Sequence, residues 1–320
     1  MLNNKIAGCF FGYAVGDALG LGTEFMTRNE AKRRYEGGLR DYSHIIRDAH
    51  RSLWKKGDFT ADTDFILELA ESIADCNGID HLDYARRLHK WSHTKNGTDL
   101  GHHLLNIISD NTYPENPYAV AENFYNRIPE KEAHNESLGR AMIAGFWPSD
   151  VEKNVTGNCR LTHAESRCVA SSVIIGIMAN ELLWHRRPAP FDHLYAVGAR
   201  IDRRVCPYLE KARDGELDDF ELDDEDTFWY VRKTMGAALW TLWHITDPEE
   251  ALYMIVDQAG DADTNAALSL GLLGLKYGFN KLPLHLVEAL NGHDRIEAVV
   301  KRFVPVIQEA QLKDTDEFQV

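Results

Sequence analysis

Apolar residues recur at helical spacing through most of this chain, and that rhythm limits the possible folds more than any other feature. From Asp62 onward, Phe65, Ile66, Leu69, Ala70, Ile73 and Ala74 form one stripe that returns every three to four residues. Residues 167–184, 230–245, 265–277 and 295–310 read the same way. Period-two alternation of β-branched residues is scarce, so strands should be few. No Pro/Gly/Ser linker interrupts the pattern. The expectation is an all-α protein with many short-to-medium helices, organised as a single domain over residues 1–320.

Glycines punctuate two of these stretches. Gly8, Gly12, Gly16 and Gly20 stand four residues apart, and Gly271, Gly274 and Gly278 follow near the other end. Glycine inside a helix costs about 0.5–1 kcal/mol relative to alanine. A row of it implies close approach of a neighbour, and tight helix–helix packing is the simplest cause.

Composition narrows the function. Hydrophobic residues make up 44% of the 320 residues and charged residues 27%, which supplies a sizeable core and excludes global disorder. Lys and Arg total 35 against 50 Asp and Glu, a net charge of −15. That balance argues against a sequence-independent nucleic-acid binder. The five cysteines (Cys9, Cys76, Cys159, Cys168, Cys206) are scattered and form no C-x-x-C pair, which fits a reducing compartment. The N-terminus lacks a secretory pattern, so a cytoplasmic protein is expected. No apolar run reaches membrane length, the longest candidate, 6–21, being broken by Asp17. The acidic stretch 214–226 lacks the calcium-loop pattern and reads as a solvated loop feeding the next helix. His89 and His93 have zinc-pair spacing without the glutamate of H-E-x-x-H, so no metal role is expected for them.

Two helix starts carry the chemistry. One reads Thr60-Ala61-Asp62-Thr63-Asp64, the other Gly260-Asp261-Ala262-Asp263-Thr264-Asn265. Taken singly, each also fits ordinary helix capping. Should they meet, at least three carboxylates share one small volume. Like charges that close need a counter-charge. A hard divalent cation such as Mg²⁺, Mn²⁺ or Ca²⁺ supplies it through oxygen ligands. Glu24 is a further acid in an otherwise buried stretch.

These segments occur in the order seen in the ADP-ribosylglycohydrolase family, which the chain resembles. Gly16-Asp17-Ala18-Leu19-Gly20 is followed by Glu24, then the Thr60 start, Leu161-Thr162-His163, and Gly260-Asp261-Ala262-Asp263-Thr264-Asn265-Ala266-Ala267. Gly271 to Gly278 resembles the family's C-terminal signature. The resemblance implies an orthogonal all-α bundle that removes ADP-ribose from modified side chains at a two-metal site holding Mg²⁺ or Mn²⁺. Thr60, Asp62, Asp261, Asp263 and Thr264 would be ligands, with Glu24 assisting catalysis. Lys95 to Gly101 resembles the segment of members that act on ADP-ribosylarginine. Asp99 would then face the scissile bond and the guanidinium, beside Gly97 and Gly101. Asn135 and Ser137, in a degraded glycine motif where Glu136 replaces glycine, and His163 match ligand-pocket positions. Phe146 and Trp147 fit adenine stacking or, more simply, the core.

One departure stands out. The family has an aspartate where this chain has Ala61, so one metal should be weakened or lost. Either the position was changed to inactivate the protein and trap a ligand, or the member is naturally impaired or uses other ligands. The resemblance implies ADP-ribose or an ADP-ribosylated protein as partner, with neither nucleic acid nor membrane. The alternatives are a non-catalytic ADP-ribose-binding or structural protein on the same fold, or a hydrolase of serine-linked or O-acetyl ADP-ribose.

Overall fold

A computed structural model describes residues 2–94, 101–127 and 133–317. Within them the protein is built of helices and connecting turns, without strands, and an isolated parallel bridge joins Glu24 and Gly260. The five periodic stretches are all helices: Ala61–Cys76, Ser166–Asn180, Val231–His244, Ala262–Tyr277 and His293–Glu317. The chain forms two compact units. One comprises Met1–Thr63 and Cys206–Ala298, the other Asp64–Val205 and Val299–Val320.

In the first unit, helix Leu2–Gly20 is apolar nearly all round, as a core helix must be, and Ile6 to Gly20 is almost wholly buried. Its partner is Ala262–Tyr277, rich in the strong helix formers Ala and Leu and closed by Gly278 at φ +90°. The two run antiparallel with their backbones touching. A Cβ on Gly8 would lie 2.4 Å from the Gly274 carbonyl oxygen, on Gly12 2.5 Å from that of Leu270, on Gly16 2.3 Å from that of Ala266, and on Gly20 2.4 Å from that of Ala262. The glycine ladder is therefore a packing device. Its consequence is positional: the end of the first helix, with Asp17, meets the start of the other, with Asp261 and Asp263.

In the second unit, helices Leu138–Ala144, Val151–Arg160 and Phe191–Ile201 pack on Ser166–Asn180, which continues as a π-helical turn over Glu181–His185. A Cβ on Gly145 would lie 2.3 Å from the Gly176 carbonyl oxygen. The stretch Ser166–His185 is long and apolar enough for a membrane span, against the expectation that no apolar run reaches that length. It is about two-thirds buried inside the protein, as the core helix of a folded domain is. Phe146 is fully buried against Phe303, a core role. His89 and His93 direct Nδ1 to the carbonyls of Ile108 and His89.

Candidate active site

The first unit gathers the acids. Asp17 is fully buried on helix Leu2–Gly20 and reaches the start of Ala61–Cys76. Its carboxylate accepts from the Thr60 amide (3.0 and 3.1 Å), the Thr63 amide (3.1 Å) and the Thr63 hydroxyl (2.6 Å). Amides at a helix start have no partner within the helix, so Asp17 caps this one from another element. Burial raises its pKa from the ordinary 3.8 to about 7, against the pull of those hydrogen bonds.

So anchored, the Thr60 start meets the second one. Thr264 donates its hydroxyl to Asp62 Oδ2 (2.7 Å), and the same oxygen lies 3.3 Å from Asp261 Oδ1. The Thr60 hydroxyl accepts from the Asp62 amide at 3.3 Å. Glu24, Asp261 and Asp263 are all buried, and one carboxylate oxygen from each lies within 4.8 Å of the others. Burial pushes Asp263 well above the carboxylate range, and Glu24, Asp261, Asp62 and Asp17 push it further. Tyr13, also buried, is raised by burial and then by Asp62, Asp17 and Asp263.

Glu24 is held from several sides. Its Oε2 is 2.6 Å from His50 Nε2. Arg51, nearly buried, donates to the carbonyls of Gly22 (2.8 Å) and Glu24. The Phe25 amide donates to Gly260 O (2.7 Å) and the Gly260 amide to Met26 O (2.9 Å). Phe25, Ala259 and Gly260 all have positive φ, of 58°, 61° and 71°. Gly260 must be glycine, because a Cβ there would sit 1.9 Å from the Leu222 carbonyl oxygen.

Buried carboxylates that repel one another, with threonine hydroxyls between them, are the donor set a hard divalent cation takes. The residues present fit such an ion. Ala61 is buried at the first position of its helix and offers it nothing.

In the second unit, Gly101, Asn135, Ser137 and His163 lie around Glu136. Arg140 donates to the Thr162 hydroxyl (2.6 Å), which lies 2.7 Å from His163 Nδ1; His163 Nε2 is 2.9 Å from Glu136 Oε2. Arginine only donates, so the Thr162 proton goes to Nδ1 and the imidazole donates from Nε2. Burial would raise the Glu136 carboxyl, but the His163 hydrogen bond and nearby His134 hold it down at about 2. Burial in turn lowers the His163 pKa. A Cβ on Gly101 would lie 3.3 Å from Glu136 Oε1. Asn135 is buried, and Ser137 pairs with Ser172 at 3.0 Å. Gly97 and Asp99 lie outside the described residues.

Sequence reasoning missed three of these features. Asp17 was visible within Gly-Asp-Ala-Leu-Gly, but nothing local tells that it caps a distant helix. His50 and Arg51 carry no motif. Glu136 was visible only as a departure from glycine.

A family model described as ADP-ribosylglycohydrolase matches residues 1–313. The chain is 26% identical over 315 residues to the ADP-ribosyl-[dinitrogen reductase] glycohydrolase of Rhodospirillum rubrum, covering 96% of each. It is 24% identical to the ADP-ribosylarginine hydrolase Tri1 of Serratia proteamaculans (strain 568), over 93% of this chain and 78% of that one. A solved structure titled "ADP-ribosylglycohydrolase-related protein complex" superposes with a TM-score of 0.71 at 25% identity, covering 96% of this chain and 99% of the other.

Proposed function

The chain belongs to the ADP-ribosylglycohydrolase family, and from that premise we propose that it hydrolyses the N-glycosidic bond between ADP-ribose and an arginine side chain. One observation carries the reading: Asp62 and the Asp261/Asp263 pair, distant in sequence, are joined through Thr264 beside Glu24. The similarity to a hydrolase of ADP-ribosylarginine supports the arginine linkage.

Water adds across the bond, its hydroxyl to the anomeric carbon and its proton to the departing guanidine nitrogen, through an oxocarbenium-like transition state. Thr60, Asp62, Asp261, Asp263 and Thr264 would hold Mg²⁺ or Mn²⁺. Such a cation would supply Lewis-acid charge to the sugar and to the attacking water. Glu24, aimed by His50 and fixed by Arg51, moves the proton. Asp17 keeps Thr60 and Asp62 in register for the sugar. Asp99 matches, on the family resemblance, the carboxylate that would serve the guanidinium. On the same resemblance, Gly101, Asn135, Ser137 and His163 match nucleotide-binding positions. The scattered cysteines support a cytoplasmic setting.

Ala61 favours a second reading, an ADP-ribose binder that does not turn over. The experiment is release of free ADP-ribose from ADP-ribosylated arginine with Mg²⁺ or Mn²⁺, in this chain and in Ala61→Asp. Release from either supports the hydrolase. No release from either, on any ADP-ribosylated substrate, overturns it.

A further inference from the structure

Glu24 is followed by a residue the fold treats unusually. Phe25 is 55% exposed and sits at φ +58°, a conformation that a bulky side chain adopts only where its surroundings impose it. The hydrogen bond from its amide to Gly260 and the Arg51 clamp on the Glu24 carbonyl supply that constraint. The result is an aromatic ring held in solvent directly beside the acid cluster. It is not alone. Its ring centroid lies 5.0 Å from that of His50 and 5.6 Å from that of Phe228, and His50 lies 5.1 Å from Trp54.

Phe228 lies in the turn 225–229, which also carries Glu225 and Asp226. Other acids of this stretch are engaged: Asp218 and Asp223 pair with Arg28, and Asp224 with Lys233. Glu225 and Asp226 are exposed, and neither carboxylate is paired within the described residues. Glu225 and Asp226 thus leave two unpaired carboxylates three and two positions before Phe228.

We propose that the face made by Phe25, Phe228 and Trp54, flanked by Glu225 and Asp226, docks an arginine-bearing basic segment of the modified protein. This rests on the arginine-linked reading above. Charge chooses the occupant. A guanidinium is planar and weakly hydrated, stacks on aromatic rings and pairs with carboxylates. The diphosphate of a nucleotide would be repelled by the same two acids. The chain's net charge of −15 adds long-range attraction for a basic partner. The polypeptide on the arginine side of the scissile bond must also continue outside the buried acid cluster, and this face adjoins that cluster at Glu24.

The test uses the full chain and a fluorescein-labelled peptide of glycine, serine and three arginines, followed by anisotropy. Wild type binds, and 0.5 M salt weakens binding. Phe228→Ala, and separately the double variant Glu225→Gln/Asp226→Asn, weaken it about two- to fivefold, the range of an exposed cation–π contact. Replacing the peptide's arginines by lysines weakens it too. Thermal melts confirm that the variants fold, and the exposed acid pair serves if Phe228→Ala does not. Absence of binding to wild type, or unchanged binding to both variants, overturns the proposal. Displacement of the peptide by free ADP-ribose, or loss of ADP-ribose affinity in Phe228→Ala, assigns the rings to adenine and also overturns it. Peptide binding needs no turnover. A chain that releases no ADP-ribose yet binds the peptide in this pattern sinks the hydrolase reading and leaves the docking surface standing.

Discussion

Replacing Gly16 by alanine should destabilise the protein even though alanine is the better helix former. The new methyl would lie 2.3 Å from the Ala266 oxygen, 2.4 Å from the Ala266 carbonyl carbon and 2.6 Å from the Ala267 nitrogen. All three are backbone atoms of a buried helix, so no side chain can swing aside. Ordinary contact begins near 3.4 Å, so the two helices must part by about 1 Å. Overpacking of this kind costs about 1–3 kcal/mol, while the propensity gain returns about 0.5–1 kcal/mol. With rigid backbone on both sides the upper end applies, and a net loss of about 2 kcal/mol lowers Tm by about 3 °C in a chain of 320 residues. Gly78→Ala is the control. Its nearest neighbours are 3.9 Å away, and it should melt at or slightly above wild type. Calorimetry in chelator measures both. Gly16→Ala melting as high as wild type would refute the claim that backbone contact sets the helix pair, and with it the account of how Asp17 reaches the acid site.

Three further outcomes follow from the site. Without metal, stability should fall as pH rises from about 4 to about 7. An unfolded Asp17 ionises near 3.8 while the folded one holds its proton to about 7. The folded state thus binds more protons across that window, for an effect on the order of 4 kcal/mol. Denaturation midpoints at pH 5 and pH 7.5 measure it, and Mn²⁺ should flatten the slope; a metal-free midpoint that rises with pH contradicts it. Ala61→Asp should tighten Mn²⁺ binding about tenfold, or about 1.4 kcal/mol, while lowering the metal-free Tm because it buries another charge; calorimetric titration and melting read the two effects. Glu136→Gly removes a carboxylate held ionised at about 2 and should tighten ADP-ribose binding about tenfold, again about 1.4 kcal/mol. Unchanged affinity by titration would remove Glu136 from the nucleotide's surroundings.

What could be read in advance was whatever repeats or sits at an element's edge. The stripe from Phe65 to Ala74, the four-residue glycine ladder and the two Asp/Thr helix starts are local patterns, and their periods translate directly into helices, close packing and oxygen-rich termini. What escaped depends on non-local pairing. Asp17 looks like any polar residue in a glycine-rich helix until the Thr60 amides arrive from a distant segment. The chain of donors from Arg140 through Thr162 and His163 to Glu136 draws on two separate stretches, and only its direction shows that His163 serves Glu136. Phe25 carries no motif, and its exposure is created by a backbone angle that sequence does not display. The two-unit division assembles each unit from separate chain segments, so no linker composition marks it.

Manganese titration of metal-free protein, comparing wild type with Asp62→Asn and Asp261→Asn, reaches the core of the account. Both substitutions should weaken the same binding event at least tenfold, or about 1.4 kcal/mol, despite their distance in sequence, while each variant keeps a cooperative melt. Binding that ignores one of the two substitutions, or wild type that takes up no Mn²⁺, would contradict it.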